Sequence, residues 1–322
     1  MLCIVGMSSN GAMFHHVHGW EILINKLNIE NSTGIIKLFR NRESNFLWLL
    51  SVYRSILSFR QNKCIFFLNG EFNIVLLPLI FFARCHGVKV ILTWHDVVPH
   101  PGQIRNYVLW FFSFINAFFS NHVVVHNFNY SKLSIPFLKQ FVYMPLPPLV
   151  LNFNDNGPIV KNDSIIFFGR IEYYKGLERV LKLYEGDLFS LNKNFIVVGT
   201  GSDNYINILN LKNNLNVSYL GFKSDFDLIG LIKSSSAIVM PYLHCSQSLN
   251  PYWASILKVA LIVSVEVSKS LPFANLKGYY IFSNNFELLH LLRSTTVLEP
   301  FEYNFSHDNN LNFLKALLHD VN

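Results

Sequence analysis

Short apolar runs and amphipathic stretches alternate along almost the whole chain. Six runs in the first half have the length and composition of strands, and they cover residues 2–5, 34–39, 64–68, 88–94, 122–126 and 140–144. Four more occupy residues 165–168, 195–199, 217–221 and 237–242. Strands that alternate with helical stretches are typical of a parallel sheet with helices on both faces. The pattern therefore predicts an α/β protein built on parallel sheets.

The break between the two series of strands predicts two domains. A proline-rich stretch at 145–148 is extended by its composition, and the polar run 152–162 that follows has the character of a linker. The chain has 322 residues, of which 51% are apolar, and this is enough for two buried cores of ordinary size. We therefore predict one domain over residues 1–151 and a second over residues 152–322.

No stretch of the sequence predicts a membrane span or an export signal. The longest apolar runs, such as 74–83, are too short to cross a bilayer. Residues 1–7 resemble a buried first strand and lack the basic region and cleavage site of a signal peptide, so we expect a cytoplasmic protein. The four cysteines lack metal-binding spacing and lie mostly in or beside apolar segments, as reduced thiols do. They are Cys3, Cys64, Cys85 and Cys245.

The positive charge of the chain is confined to its first half. Residues 1–150 contain 12 Lys and Arg against 5 Asp and Glu, whereas residues 151–322 contain 14 against 15. The cations are dispersed and carry no RNA-binding aromatic signature, so we expect no nucleic-acid partner. The aromatic helical stretches 45–59 and 107–119 fit two interpretations. One is a helix that lies on an anionic membrane surface, and the other is a helix that covers the core of an α/β domain.

The segment 164–182 carries the strongest chemical signal. An apolar run ends at Gly169 and helical spacing begins at Gly176, which predicts a strand, a loop and a helix. The loop places Arg170 and Lys175 on flexible backbone near a helix N-terminus, and this arrangement suits a phosphate or diphosphate. The alternative is an ordinary turn whose cations are only solvated.

This G-R-x4-K-G segment resembles the diphosphate-binding segment of glycosyltransferase family 4, whose strand order and spacing match nearly the whole chain. The resemblance implies a GT-B fold, in which two Rossmann-like domains face each other across a cleft. The first would be the acceptor-side domain and the second would bind the nucleotide sugar. Such an enzyme uses a nucleotide-diphosphate sugar as co-substrate, needs no separate cofactor and retains the anomeric configuration. Gly169 would then lie against the diphosphate, while Arg170 and Lys175 would stabilise the charge that develops on it.

The predicted strand at 88–94 runs directly into H-D-V-V-P-H-P-G at residues 95–102. This segment is similar to the H-D-x-x-P-H segment of sugar-polymer enzymes in the same family, in which the histidine lies beside the donor sugar and its diphosphate. The resemblance implies that His95 orients the donor. The alternative is that His95 and Asp96 cap the helix that follows.

A glycine-bearing loop and three histidines follow the first predicted strand. The loop ends at Gly11 and lies between a strand and a helix, at the edge of the sheet where doubly wound folds bind ligands, so Gly11 is a candidate ligand-binding residue. The glycine spacing alone also fits a plain turn. His15, His16 and His18 have no carboxylate or cysteine beside them to complete a ligand set, so we predict no metal site.

Two further segments are similar to the donor domain of the family. V-V-G-T-G at 197–201 resembles its V-G-x-G turn, where glycine permits close approach of the backbone to the nucleotide. The resemblance implies that Gly199 and Gly201 contact the nucleotide. Gln247 and Ser248 match a Q-S pair that many members place against the diphosphate.

The loop that contains this Q-S pair also departs from the family. Members usually carry two glutamates eight positions apart, the first near the donor sugar and the second on the ribose hydroxyls. Cys245 and Trp253 occupy these positions here. Each lost charge-assisted hydrogen bond is worth about 1.5–3 kcal/mol, so the change implies weak donor binding, an altered donor or an inactive relative. The alternative for Trp253 is a plain core position.

We predict from these features a glycosyltransferase, of hexosyltransferase type, that extends a lipid-linked bacterial surface polysaccharide such as O-antigen lipopolysaccharide or capsule. The expected partners are the nucleotide-diphosphate sugar, the lipid-linked saccharide acceptor and the inner face of the cytoplasmic membrane. Two alternatives remain open from the residues. One is a catalytically inactive binding or partner subunit, and the other is a nucleotide-sugar epimerase with the same two-domain fold.

Overall fold

The computed structural model of the chain divides into two compact units. Unit 1 comprises residues 1–150 and 305–322, and unit 2 comprises residues 151–304. The structure describes residues 2–6, 11–26, 35–39, 50, 52–54, 56–57, 64–67, 76–95, 97, 104–127, 141–149, 151, 161–184, 191, 193–211, 217–271, 273–304 and 307–319.

Among the described residues, six parallel strands form the sheet of unit 1. In chain order they are β1 (Leu2–Gly6), β2 (Ile35–Phe39), β3 (Cys64–Phe67), β4 (Lys89–Thr93), β5 (His122–Val125) and β6 (Phe141–Tyr143). They lie in the order β2-β1-β3-β4-β5-β6, and every adjacent pair is parallel. Parallel neighbours need crossover connections, which place helices over the faces of the sheet.

Helices cover both faces of this sheet. Three of them are α1 (Gly11–Lys26), α2 (Leu76–Cys85) and α3 (Ile104–Phe119). Val90 and Leu92 of β4 pack in one core with side chains of α2 and α3, whereas Ile91 packs in a second core with side chains of α1. Successive side chains of a strand point to opposite faces, so a strand that is buried on both faces needs a continuous apolar run.

In the part of unit 2 that the structure describes, six parallel strands form a second sheet. They are β7 (Ser164–Phe168), β8 (Asn194–Val198), β9 (Val217–Tyr219), β10 (Ala237–Met240), β11 (Ala260–Ser264) and β12 (Tyr279–Phe282). Their order is β12-β11-β10-β7-β8-β9, and all neighbours are parallel. The strand order reverses between β7 and β10, which makes that point the topological switch point of the sheet.

Short helices connect the strands of unit 2, and several begin at a serine cap. They are α4 (Leu177–Leu181), α5 (Asp203–Ile208), α6 (Asp225–Ser234), α7 (Asn250–Leu257), α8 (Val265–Ser270) and α9 (Asn285–Arg293). Ser202, Ser224 and Ser264 precede α5, α6 and α8, and the side chain of each accepts a hydrogen bond from a backbone N–H of the first turn. These caps satisfy donors that a helix N-terminus leaves unpaired.

The last helix, α10 (Asp308–His319), belongs to unit 1. Leu314 is buried in the same core as Trp20 of α1. The prediction that residues 152–322 form one domain is therefore wrong for the final segment. An amphipathic helix indicates that one of its faces becomes buried, but the pattern carries no information about which core receives it.

The predicted α/β class with parallel sheets is confirmed. No strand was predicted at β12, where only the outer two of four residues are buried. The aromatic stretch at 107–119 is helical and α3 begins three residues earlier. Most of the stretch at 45–59 and of the linker at 152–162 lies outside the described residues. Within the described part of the chain, no helix has the length and apolar character that a bilayer span requires.

Candidate functional site

The switch point of unit 2 brings together two loops that the sequence analysis treated separately. β7 and β10 pair directly, so the loop 169–176 after β7 and the loop 241–249 after β10 leave the same edge of the sheet side by side. Ligands of doubly wound folds bind outside the carboxyl ends of the strands at this kind of point. The edge is therefore the candidate ligand site of unit 2.

Gly176 joins the two loops closely. Its φ of 61° is left-handed, and a Cβ at this position would lie 2.2 Å from the carbonyl oxygen of Pro241. The N–H of Leu243 donates to the carbonyl of Tyr174 at 2.8 Å, which fixes the second loop on the first. Helix α4 begins directly after Gly176 but has only five residues, so its dipole contributes little and anion binding must depend on side chains and loop N–H groups.

Two cations lie on the loop after β7. The side chain of Arg170 is 68% exposed, and its Nη1 lies 3.1 Å from Oε1 of Glu172. An exposed pair of this kind is worth about 0–1 kcal/mol, so an incoming anion can displace the carboxylate. Nζ of Lys175 lies 3.8 Å from the centre of the Tyr242 ring and 5.3 Å from that of Tyr174. The cation–π contact holds the ammonium group of Lys175 at the edge of the sheet.

Tyr242 is the support for Lys175, and its position is fixed by its neighbours. The side chain is buried, and burial raises the pKa of the hydroxyl well above its ordinary value, so Tyr242 stays protonated. Nδ2 of Asn250 donates to the hydroxyl at 3.2 Å, and Oγ of Ser264 donates to the backbone carbonyl of Tyr242 at 2.6 Å. No role was predicted for Tyr242 from the sequence, although its place directly after Pro241, at the end of the predicted strand 237–242, was a usable signal.

Gly199 and Gly201 pack against the loop after β7. A Cβ at Gly199 would lie 1.8 Å from the carbonyl oxygen of Gly169, and one at Gly201 would lie 2.2 Å from that of Ile171. Backbone hydrogen bonds join the same segments, because Gly169 N–H donates to Val198 at 3.0 Å. The close approach in this structure is thus between two backbone segments, and contact of these glycines with a nucleotide stays a prediction.

Gln247 and Ser248 lie on the loop after β10, the same loop as Tyr242. Both are half-buried, and the hydroxyl of Ser248 accepts a hydrogen bond from the N–H of Asn250 at 3.2 Å. The structure therefore gathers these two residues and the cation-bearing loop at one edge of the sheet. Their contact with a diphosphate remains a prediction.

The two positions that lack a glutamate are occupied by buried side chains. Cys245 and Trp253 are each 4% exposed, and the indole of Trp253 packs edge-on against Phe168 with ring centres 5.9 Å apart. Trp253 is therefore a core side chain of unit 2. A carboxylate at either buried position would carry a large desolvation cost.

The remaining two predicted site residues lie in unit 1. Gly11 is the first residue of α1, and His95 follows the end of β4 with only 5% of its surface exposed. His95 packs against two other buried histidines, with ring centres 5.0 Å from His16 and 5.6 Å from His126. His16 lies on α1 and His126 follows β5, so the cluster joins three distant parts of the sequence.

Hydrogen bonds fix the tautomers of two members of this histidine cluster. Nδ1 of His126 lies 2.7 Å from the carbonyl oxygen of Met144, so this nitrogen carries the proton and donates. Nε2 of His126 is then an acceptor, and Nε2 of His16 donates to it at 2.8 Å. Burial, with the neighbouring histidines, holds the pKa of His16 well below its ordinary value and lowers the pKa of His126 to about 3. Both rings are therefore neutral at neutral pH.

This cluster was not predicted from the sequence. His16 was noted only for its spacing from His15 and His18, and His126 was only the last residue of a predicted strand. A weak signal existed, because two adjacent parallel strands, β4 and β5, are each followed by a histidine within two residues. Adjacent strands end at the same edge of a sheet, so their following residues lie close together.

One family model matches a large part of the second unit. Residues 151–264 match the family model described as Glycosyl transferases group 1, and this range contains β7 to β11 and both loops of the switch point. No curated protein sequence gives a significant match.

Solved glycosyltransferase structures resemble the whole chain in fold. An alpha-glucosyltransferase bound to UDP-glucose and DNA with an abasic site has a TM-score of 0.64 at 12% identity, and the match covers 99% of this chain and 94% of that one. HepE of Anabaena in complex with UDP has a TM-score of 0.54 at 11% identity, with 99% and 94% covered. The lipopolysaccharide outer core galactosyltransferase WaaB has a TM-score of 0.51 at 11% identity, with 99% and 97% covered. The chain therefore shares the GT-B fold of these structures, and residues 151–264 are similar to the glycosyl transferases group 1 family.

Proposed function

We propose that this protein transfers a sugar from a nucleotide-diphosphate donor and that unit 2 binds the diphosphate at the switch point between β7 and β10. One observation carries the proposal: Lys175 is held over the fixed ring of Tyr242, on a glycine-packed loop that also carries Arg170. Lys175 therefore needs little reorganisation to receive a diphosphate, and Arg170 has only an exposed ion pair with Glu172 to exchange for it. UDP is bound in the HepE structure and UDP-glucose in the alpha-glucosyltransferase structure, which supports a nucleotide-sugar donor.

The chemistry proposed for this edge is stabilisation of the leaving group. When the bond between the sugar and the diphosphate breaks, negative charge grows on the diphosphate oxygens, and Arg170 and Lys175 would offset it. Retention of the anomeric configuration is proposed on the resemblance alone. The proposed role of His95 in orienting the donor also rests on the resemblance of its H-D-x-x-P-H segment, since its described contacts are within unit 1.

Cys245 and Trp253 favour a second candidate function, a binding subunit without transferase activity. Both side chains are buried where the family usually has donor-binding glutamates, so these positions offer no carboxylate to the ribose or to the donor sugar. The proposed binding of the diphosphate by Arg170 and Lys175 does not depend on them. A protein that binds nucleotide diphosphates without turnover is therefore consistent with the same site.

A panel of nucleotide-diphosphate sugars separates these functions. Ligands that bind the folded protein raise its unfolding temperature, so we expect at least one donor to stabilise the chain. Products are then analysed with and without a lipid-linked saccharide acceptor. Transfer to the acceptor supports the proposal, stabilisation without turnover indicates a binding subunit, and an isomerised sugar nucleotide without acceptor indicates an epimerase. If no nucleotide sugar raises the unfolding temperature of the folded chain, the proposal that unit 2 contains a donor site is wrong.

We further propose that unit 1 lies on the membrane that carries a lipid-linked acceptor of a bacterial surface polysaccharide, such as lipopolysaccharide, O-antigen or capsule. The inner side of α3 packs on the core through Trp110 and Phe114. Its outer side presents large apolar side chains to solvent, together with Phe81 of α2, which is 60% exposed. The exposed residues of α3 are Tyr107, Val108, Phe111, Phe118 and Phe119.

Basic side chains accompany this aromatic face. Arg84 is exposed on α2, and its Nη1 donates to the carbonyl of Phe119 at 3.0 Å, which places a cation at the end of α3. The first 150 residues carry 12 Lys and Arg against 5 Asp and Glu. Apolar rings with nearby cations suit the interface of an anionic bilayer.

Vesicle binding tests the membrane proposal. We expect the protein to bind phosphatidylglycerol vesicles at low salt and to dissociate as salt rises, because screening weakens the electrostatic part of the interaction. The double variant Phe111→Ser/Phe118→Ser should lower the partition coefficient about 10-fold or more, since two rings no longer enter the interface. The matched control is Phe222→Ser/Phe226→Ser, which removes two phenylalanines of unit 2 that are each 76% exposed. Equal binding of both double variants would contradict the proposal.

A further inference from the structure

The histidine cluster of unit 1 has the features of a metal site that its sequence spacing concealed. His16, His95 and His126 each offer one ring nitrogen, and the three nitrogens lie within 4.8 Å of one another. All three side chains are buried. Clusters of three imidazoles are rare in a core, because each ring brings polar nitrogens that need partners.

His126 is arranged as metal-binding histidines usually are. Its Nδ1–H donates to the carbonyl of Met144 at 2.7 Å, which fixes the ring and leaves the lone pair of Nε2 directed at the other histidines. Metal ligands of this type almost always have such an outer hydrogen bond, because it sets the tautomer and the orientation of the ring.

His16 can change tautomer without breaking a second hydrogen bond. Its Nε2–H is used in the contact with His126, and its Nδ1 is buried without a hydrogen-bond partner among the described residues. Metal binding through Nε2 requires the ring proton to move to Nδ1, and no described hydrogen bond at Nδ1 opposes that move.

We propose that His16, His95 and His126 bind one divalent transition-metal ion of the Zn²⁺ class. Neutral imidazole suits Zn²⁺, Co²⁺ and Ni²⁺, whereas Mg²⁺ and Ca²⁺ prefer oxygen ligands. Three nitrogens leave a fourth tetrahedral position for water.

The geometry requires only small side-chain movements. Zn–N bonds of about 2.0–2.1 Å place tetrahedral ligand nitrogens about 3.3 Å apart. Metal binding would increase the distance between Nε2 of His16 and Nε2 of His126 from 2.8 Å. It would also bring together the other ligand nitrogens, which now lie within 4.8 Å of one another. The proton on Nε2 of His16 would move to Nδ1, so the rings stay neutral and the ion replaces a hydrogen bond.

Metal binding would also occupy His95. In the proposed function, on which this consequence rests, the ring of His95 orients the donor. A His95 ring bound to Zn²⁺ could not contact the donor, so the metal would inhibit sugar transfer. The binding of metal itself does not depend on the function. A protein that binds zinc at the cluster but transfers no sugar would leave the metal site intact and overturn only the proposed activity.

Titration of the full chain with Zn²⁺ after chelator treatment tests the site. Calorimetry should show one ion per chain, and Co²⁺ in its place should give the visible spectrum of a tetrahedral site. His16→Gln and His126→Gln should each weaken binding about 100-fold or more, because each removes a ligand. His86→Gln, which changes an exposed histidine of unit 1, and His18→Gln, which changes the partner of Glu21, should bind as the wild type does.

Imidazole ¹⁵N spectra of the wild type provide a measurement that needs no variant to fold. Addition of Zn²⁺ should shift the signals of three histidines and leave the other nine unchanged, since the chain has 12. Absence of Zn²⁺ binding by the folded wild type would overturn the proposal. Unaltered affinity in folded His16→Gln and His126→Gln, or ¹⁵N shifts confined to other histidines, would overturn it as well.

Discussion

Lys175→Ala is expected to lower the turnover of the nucleotide-sugar donor about 100-fold or more, and Arg170→Ala is expected to have an effect of similar size. Loss of one preorganised group that stabilises developing negative charge typically costs this factor. Tyr242 already positions the ammonium group of Lys175, so alanine at this position removes a preorganised cation. The measurement is kcat with a saturating donor, followed by donor affinity from calorimetry.

Lys182→Ala is the matched control for both variants. Lys182 is an exposed lysine that follows α4, seven positions after Lys175 in the same unit. Its loss should leave turnover unchanged. Lys175→Ala also removes a cation–π contact worth about 0.5–2 kcal/mol, so the unfolding temperature of each variant must be recorded first. If the Arg170→Ala and Lys175→Ala variants fold and keep wild-type turnover, the proposal that this loop binds the diphosphate is wrong.

Gly199→Ala is expected to destabilise unit 2 by about 3 kcal/mol or more. The new Cβ would lie 1.8 Å from the carbonyl oxygen of Gly169, and φ at Gly199 is +147°, a conformation that alanine rarely adopts. The backbone after β7 and β8 would have to separate, which breaks the bond from Gly169 N–H to Val198. Urea unfolding measures the free energy, and amide hydrogen exchange locates the loosened strands.

Gly230→Ala is the control for this prediction. Gly230 lies within α6, and no heavy atom lies within 4 Å of the position that a Cβ would occupy. Alanine is more favourable than glycine inside a helix by about 0.5–1 kcal/mol, so this variant should be equally or more stable. If Gly199→Ala unfolds at the same urea concentration as the wild type, the close packing of the two loops is not a structural requirement.

The chemistry of the unit 2 loop was largely predictable because its parts are local in sequence. Gly169, Arg170, Lys175 and Gly176 lie within eight residues, so their order alone indicated two cations on a loop between a strand and a helix. What holds Lys175 in place was not predictable. Tyr242 is 67 positions away and reaches Lys175 only because β10 pairs with β7 in the sheet.

The absent glutamates show the same division between local and tertiary information. From the sequence, the resemblance implies carboxylates at the positions that Cys245 and Trp253 occupy. Only the fold shows that both side chains are buried and that the indole of Trp253 packs against Phe168. Burial is a property of everything that surrounds a residue, and no local pattern encodes it.

The sequence by itself determined the α/β class, most strand positions and the cation pair, because strands buried on both faces require continuous apolar runs and the motif is contiguous. Tertiary structure alone decided the placement of α10, whose amphipathic face does not specify its partner core. It also decided the histidine cluster, in which His16 and His126 are 110 positions apart but only 2.8 Å separates their Nε2 atoms. Such a contact depends on the order of strands in the sheet, which arises from packing over the whole unit and is invisible in any single segment.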